Sequence, residues 1–287
     1  MNGLGRLRAS GQPSAPALER TLPLAAAAFW IAWFSWREMA RRRRLLAVAA
    51  VMLVPVACTV AWRLLGSAQL FPANVMLANL SMLYLTFLTV LVSLAFGITA
   101  VGEEIEEGTI IYYWTRPIGR SAIYIGRLVA AQTVAAALLA LSLAACFVVM
   151  TVGNSGVVTS RFVELYARSV AVVTLGCAVY TAIFAAMGAG LRRPLIAALI
   201  YAFGWEAMTG LIPARVQQLT VVFHLRNLVR NTEAGTSSFP NLLLELLRQL
   251  RHEAPLPEWR SLVTLLLVMV VVTGLGAWLL RRKEIFR

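Results

Sequence analysis

The stretch Ser121–Val152, SAIYIGRLVAAQTVAAALLALSLAACFVVMTV, carries a single charge, Arg127, and from Leu128 runs 25 residues without another. About 20 apolar residues cross a hydrocarbon core as a helix. The stretch therefore reads as a membrane span longer than the bilayer requires, with Arg120 and Arg127 in the cytoplasmic headgroups. Five further stretches read the same way: Leu45–Leu65, Val75–Val101, Ser169–Leu191, Pro194–Pro213 and Ser261–Leu280. Together they predict an all-α membrane protein with six spans over residues 45–287. The 287-residue chain is 60% apolar and 14% charged, with mean hydropathy +0.75. A soluble domain carries roughly 45–50% apolar and about 25% charged residues, so soluble, disordered and coiled-coil proteins are excluded.

Residues 1–23 hold Gly, Ser, Pro and scattered Arg and read as a disordered tail. Leu24–Phe34 is apolar but too short to span, and Trp36, Arg37, Glu38 and Arg41–Arg44 follow it in place of a signal-peptide cleavage site. Trp30, Trp33 and Trp36 suit the headgroup layer, so 24–44 reads as an interfacial amphipathic helix. The long segment 214–258 reads as an outer helical segment. Within it Leu243, Leu246, Leu247 and Leu250 fall at helical spacing, which predicts a short amphipathic helix against lipid or the bundle's rim.

Placing the N-terminus in the cytoplasm puts 17 of the 26 basic residues inside and nine outside. The arginine tetrad 41–44 and the cluster 281–283 both abut spans, and positive residues stay cytoplasmic. Both termini are therefore expected inside.

The charged residues also exclude chemistry. The basic set is 25 Arg and one Lys, Lys283, and the 13 acids are all Glu. Lys283 follows two arginines, so no phosphate-cradling G-x-x-x-x-G-K-[ST] loop exists. Without Asp there is neither an aspartyl-phosphate site nor the Asp that holds Mg²⁺ in nucleotide hydrolysis. The chain is expected not to be an enzyme, and to need neither cofactor nor metal. In so apolar a sequence the arginines set orientation and meet anionic lipid, so nucleic acid is not an expected partner. Cys58, Cys146 and Cys177 lie in apolar runs and read as small buried hydrophobes. Gly153-Asn154-Ser155-Gly156 matches an intramembrane serine protease motif, but that chemistry needs an intramembrane His as base. The only histidines, His224 and His252, fall in the outer segment; they are too few for a metal site and read as surface or interface residues.

The loop between the second and third spans is the most unusual cytoplasmic segment. It runs Gly102-Glu103-Glu104-Ile105-Glu106-Glu107-Gly108-Thr109 and then Thr115-Arg116-Pro117-Ile118-Gly119-Arg120. Four of the 13 acids occupy five positions. They form either a solvated collar or a docking surface for a basic partner.

The order E-E-x-E-E-G-T, T-R-P-I-G-R and Gly126-Arg127 resembles the type-2 (ABC-2-like) family of ABC transporter permeases. Trp36-Arg37-Glu38, Trp205-Glu206 and the Arg281–Glu284 ending are similar to that family too. The resemblance implies a type V exporter-like fold in a bacterial inner membrane. It also implies that 102–120 is the coupling loop that meets a separate cytoplasmic ABC ATPase. Its expected contacts are Glu103, Glu104, Glu106, Glu107, Gly108, Thr109, Arg116, Pro117 and Arg120, with a sharp turn at Gly108 and Pro117 in the first turn of the next helix. A second permease subunit, identical or similar, is the other implied partner. The pathway would then lie at the dimer interface along spans two and five, where Thr86, Thr89 and Ser93 supply polar groups; these also suit ordinary helix packing.

Glu206 lies about 18 Å along span five from Pro194, at 1.5 Å per residue. An ionisable group at that depth is costly and must be paired, hydrated or neutral. Arg63 and Arg168 are candidate partners. Two roles stand open: a proton site in a secondary transporter, or a structural carboxylate that pairs or binds a helix end and tethers the outer segment. The exporter reading favours the structural role.

Overall fold

The computed structural model describes residues 24–41, 43–65, 73–106, 119–152, 158–191, 193–206, 218–233 and 257–282. Nine α-helices and two π turns make up the described elements: α1 (Leu24–Arg41), α2 (Arg43–Leu64), α3 (Ala73–Leu83), α4 (Thr89–Glu106), α5 (Arg120–Thr151), α6 (Ser160–Gly190), α7 (Pro194–Leu199), α8 (Val221–Glu233) and α9 (Glu258–Arg282). One π turn, Tyr84–Leu88, joins α3 to α4 within one rod, and the other, Ile200–Trp205, continues α7. Five helical rods are long and apolar enough to cross a membrane: Arg44–Leu64, Ala73–Gly102, Ser121–Thr151, Ser160–Gly190 and Glu258–Arg282. The protein is an all-helical, multi-pass membrane protein.

The expected fifth span is a shorter apolar helix, Pro194–Trp205. Residues 207–213, its expected outer end, lie outside the described residues, as does the helix expected around 243–250. The fourth span begins nine residues earlier than expected, at Ser160 rather than Ser169. Charges at Arg161, Glu164 and Arg168 conceal that extension in hydropathy, but Phe162 and Leu165 are buried. They anchor the extra turns, with Phe162 stacked on Phe147 at 5.3 Å.

Spans two and four form the centre. A Cβ on Gly97 would fall 2.8 Å from Phe184 Cβ, and one on Gly188 would fall 2.9 Å from the Ile98 carbonyl oxygen. Small residues at these points let two backbones touch, the main source of helix association where lipid offers no hydrophobic drive. Buried hydroxyls add to this: Ser81 and Ser169 join spans two and four at 2.8 Å, Tyr84 meets Ser142 of span three at 2.6 Å, and Ser142 donates to the Met52 carbonyl of span one. Cys146 and Cys177 are buried as expected, whereas Cys58 is exposed on the outer side of α2.

α1 packs along α5. It buries Ala27, Ser35 and Met39 and leaves Phe29, Trp30, Trp33, Phe34 and Trp36 exposed. Trp33 and Trp36 stack at 6.0 Å, with the Arg37 guanidinium 5.0 Å from the Trp33 ring. Amphipathic rings beside a cation are the composition favoured between lipid and water.

Candidate functional site

Two places in the fold hold the residues that the sequence singles out. The first is the end of the bundle where α4 finishes and α5 begins. α4 ends at Glu106 and α5 begins at Arg120, so the expected coupling loop connects span two, one of the central rods, to span three. Glu103, Glu104 and Glu106 lie on the last turn of α4 and Arg120 is the first residue of α5; their side chains lie outside the described residues. Glu107, Gly108, Thr109, Arg116 and Pro117 lie outside them entirely. Gly119 caps α5 with an extended backbone (φ −63°, ψ 131°).

Behind this loop, two fragments of the quoted pattern meet. Arg127 Nη2 donates to Glu38 Oε2 at 3.4 Å, with the Arg127 side chain 4% exposed and that of Glu38 33% exposed. One residue earlier, a Cβ on Gly126 would fall 2.7 Å from the Ala28 carbonyl oxygen and 2.9 Å from Ile31 Cβ. The interfacial helix therefore rests directly on the helix that leaves the coupling loop. Arg281 extends the joint by donating to Ser121 Oγ at 3.1 Å.

The second place lies at mid-depth. Val221 N–H donates to Glu206 Oε1 at 3.3 Å, and Val222 N–H donates to Glu206 Oε2 at 3.4 Å. The first N–H groups of a helix have no partner within it and carry the positive end of its dipole. The carboxylate at the end of span five thus caps α8, and Thr220 adds a cap through Phe223 N–H at 3.4 Å. The Tyr201 hydroxyl donates to Glu206 Oε1 at 3.2 Å. This geometry is that of the structural role: a carboxyl bound to a helix end.

The two arginines considered as its partners are engaged elsewhere. Arg63 donates to the Val149 carbonyl, joining spans one and three. Arg168 donates to the Leu228 carbonyl at 2.9 Å and forms an ion pair with Glu258.

α8 is not a surface helix. A Cβ on Gly176, near the middle of span four, would fall 2.7 Å from Leu225 Cδ1. Val221, Val222, Leu225, Leu228 and Val229 are all buried. His224, expected at a surface or interface, is 6% exposed. Its Nδ1 lies 3.3 Å from Ser261 Oγ and its Nε2 lies 2.9 Å from the Gln218 carbonyl, while Asn227 donates to Ser261 Oγ at 3.0 Å. α8 thus re-enters the bundle and is fastened to α9 by a buried polar knot.

Of the three expected pathway residues, only Thr86 reaches an open face. Thr89 and Ser93 are fully buried against span four, and Ser93 donates to the Cys177 carbonyl at 3.3 Å. They serve helix packing. Thr86 accepts from Arg226 Nη2 at 3.2 Å. Beside it Phe87 and Phe203, one from each π turn, have ring centroids 6.5 Å apart. The π turns and Arg226 have no place in the sequence reading: a π turn leaves little local signature, and Arg226 counts there only toward topology. Among the described residues no three His, Cys, Asp or Glu side chains are close enough to hold a metal ion.

Five long apolar helical rods packed into one bundle define a multi-pass membrane protein. The chain belongs to the ABC-2 family: the family model described as ABC-2 family transporter protein matches residues 29–285. It is a permease component of an ABC transporter, and that family implies an ATPase partner in a membrane setting. No curated protein matches the chain.

Proposed function

We propose that this chain is the membrane-spanning subunit of an ABC exporter in a bacterial inner membrane, driven by a separate cytoplasmic ATPase. Six spans in a type V arrangement complete the fold, with both termini in the cytoplasm. Two permease subunits pair along spans two and five. The ATPases bind the 102–120 loop, and their closure switches the pair between inward-open and outward-open states, a bias on a two-state element.

One observation carries the reading. The first helix that flanks the loop is one of the two central rods, packed backbone to backbone on span four at Gly97 and Gly188, and the second is clasped by α1 through Glu38 and Arg127. A push on the loop is therefore delivered to the packed core and not to a peripheral span. Glu103, Glu104, Glu106, Glu107 and Arg116 supply charge-assisted contacts to the ATPase. The capping of α8 by Glu206 supports a structural duty for that carboxylate and weakens the alternative of a proton-driven secondary transporter.

Co-purification with the ATPase tests the reading. Replacing Glu103, Glu104, Glu106 and Glu107 with Lys is expected to abolish both the complex and its stimulated ATP hydrolysis. Persistence of both sinks the docking assignment. Transport that follows a pH gradient after removal of the ATPase replaces the reading with the secondary transporter.

A further inference from the structure

Arg226 stands at an unusual depth. Its partner Thr86 lies thirteen residues from Ala73 and sixteen from Gly102 within one spanning rod, or about 20 and 24 Å from the two ends at 1.5 Å per residue. A guanidinium is thus held near the middle of the membrane, on an exposed face and not inside the core. Exposed aromatics stand beside its partner: Phe87, next to Thr86 in the chain, is 45% exposed, and Phe203, 6.5 Å from it ring to ring, is 50% exposed. Ionisable groups at this depth face a wet cavity or pathway and are functional by default.

The local charges leave a role for an outside anion. Glu206 and Tyr180 are within electrostatic reach of Arg226, but the Glu206 carboxylate is turned to the start of α8. The guanidinium itself donates to Thr86, a neutral hydroxyl. Arg presents five donors in a planar fork that matches phosphate and carboxylate oxygens. A twofold pairing along spans two and five sets each Arg226 and its copy at the same depth.

We propose that Arg226, with Thr86, Phe87 and Phe203, binds cargo that is an anionic amphipath: the charged head on the guanidinium and the apolar chain against the two phenyl rings. Resident bilayer lipid is a poor occupant, because its headgroups lie at the membrane surface and not at this depth. The proposal rests on the pairing of spans two and five proposed above.

The test uses the full chain in phosphatidylcholine nanodiscs and titrates monododecyl phosphate, dodecanol and inorganic phosphate, read by native mass spectrometry. Monododecyl phosphate is expected to bind at least tenfold more tightly than either control. Arg226→Gln should lose that preference, Arg226→Lys should keep most of it, and Thr86→Val should weaken it two- to threefold while leaving the fold intact. Equal binding of dodecanol, equal binding of inorganic phosphate, or unchanged binding by Arg226→Gln each overturns the proposal. So does complete displacement by phosphatidylglycerol at bilayer levels, which makes the site one for resident lipid. The Lys replacements on the coupling loop should leave this binding unchanged, so the two readings fail separately.

Discussion

Two carboxylates in this chain do related work in different surroundings. Glu38 is one-third exposed at the edge of the bundle and takes a side-chain cation, Arg127. Glu206 is buried at mid-depth and takes the backbone N–H groups that open α8. At the edge, water reaches the Glu38 carboxylate although the Arg127 side chain is only 4% exposed, so the 3.4 Å ion pair contributes modestly. At depth an isolated charge is costly, and a helix that begins inside the membrane has N–H groups that are equally costly to leave bare. Each supplies what the other lacks. The difference shows that an intramembrane acid can be an architectural part, and that its neighbours rather than its depth identify its task.

Replacement of Glu206 is the sharpest way to break this comparison. Glu206→Ala leaves two N–H donors and the Tyr201 hydroxyl without their acceptor. At roughly 1–3 kcal/mol per unsatisfied buried group, the loss should be about 3 kcal/mol or more, read as a lower denaturation midpoint in mild detergent. Glu206→Gln keeps one acceptor oxygen and should recover part of that loss; if Gln behaves like Ala, charge rather than geometry holds α8. The counterpart at the edge is Gly126→Leu, which drives a side chain into the Ala28 carbonyl and Ile31. Overpacking of this kind costs about 1–3 kcal/mol. It should free α1 from α5, seen as faster proteolysis between them, with the rest of the bundle intact. The smallest effect belongs to the Glu38–Arg127 pair: a double-mutant cycle with alanines should return a coupling of about 1 kcal/mol. A coupling several times larger would mean that the edge joint is as dry as the one at mid-depth.

Much of the end that holds the loop was legible in the sequence. Trp36-Arg37-Glu38 and Gly126-Arg127 were picked out as parts of one pattern, and the fold brings Glu38 to Arg127. The coupling loop was marked by its density of Glu, a signal of composition that needs no tertiary knowledge. The mid-membrane joint was legible only as a question. Glu206 stood out because charge at depth is rare, but Arg63 and Arg168, the two obvious counterions, are bonded elsewhere. The acceptor–donor match with α8 could not be read because Val221 and Val222 contribute backbone, and backbone donors are the same in every sequence. The early start of α6 was hidden for a related reason: its charged side chains lower the hydropathy, while Phe162 and Leu165 do the packing.

The sequence by itself determined that this is a helical membrane protein. Long apolar runs admit little else in a bilayer. Only the tertiary structure decided that α8 turns back into the bundle, that Thr89 and Ser93 are packing while Thr86 is open, and that two π turns bring Phe87 and Phe203 together beside Thr86. Those features depend on which faces of the rods meet. Hydropathy cannot specify that, because inside a membrane the lipid-facing and protein-facing sides of a helix are almost equally apolar.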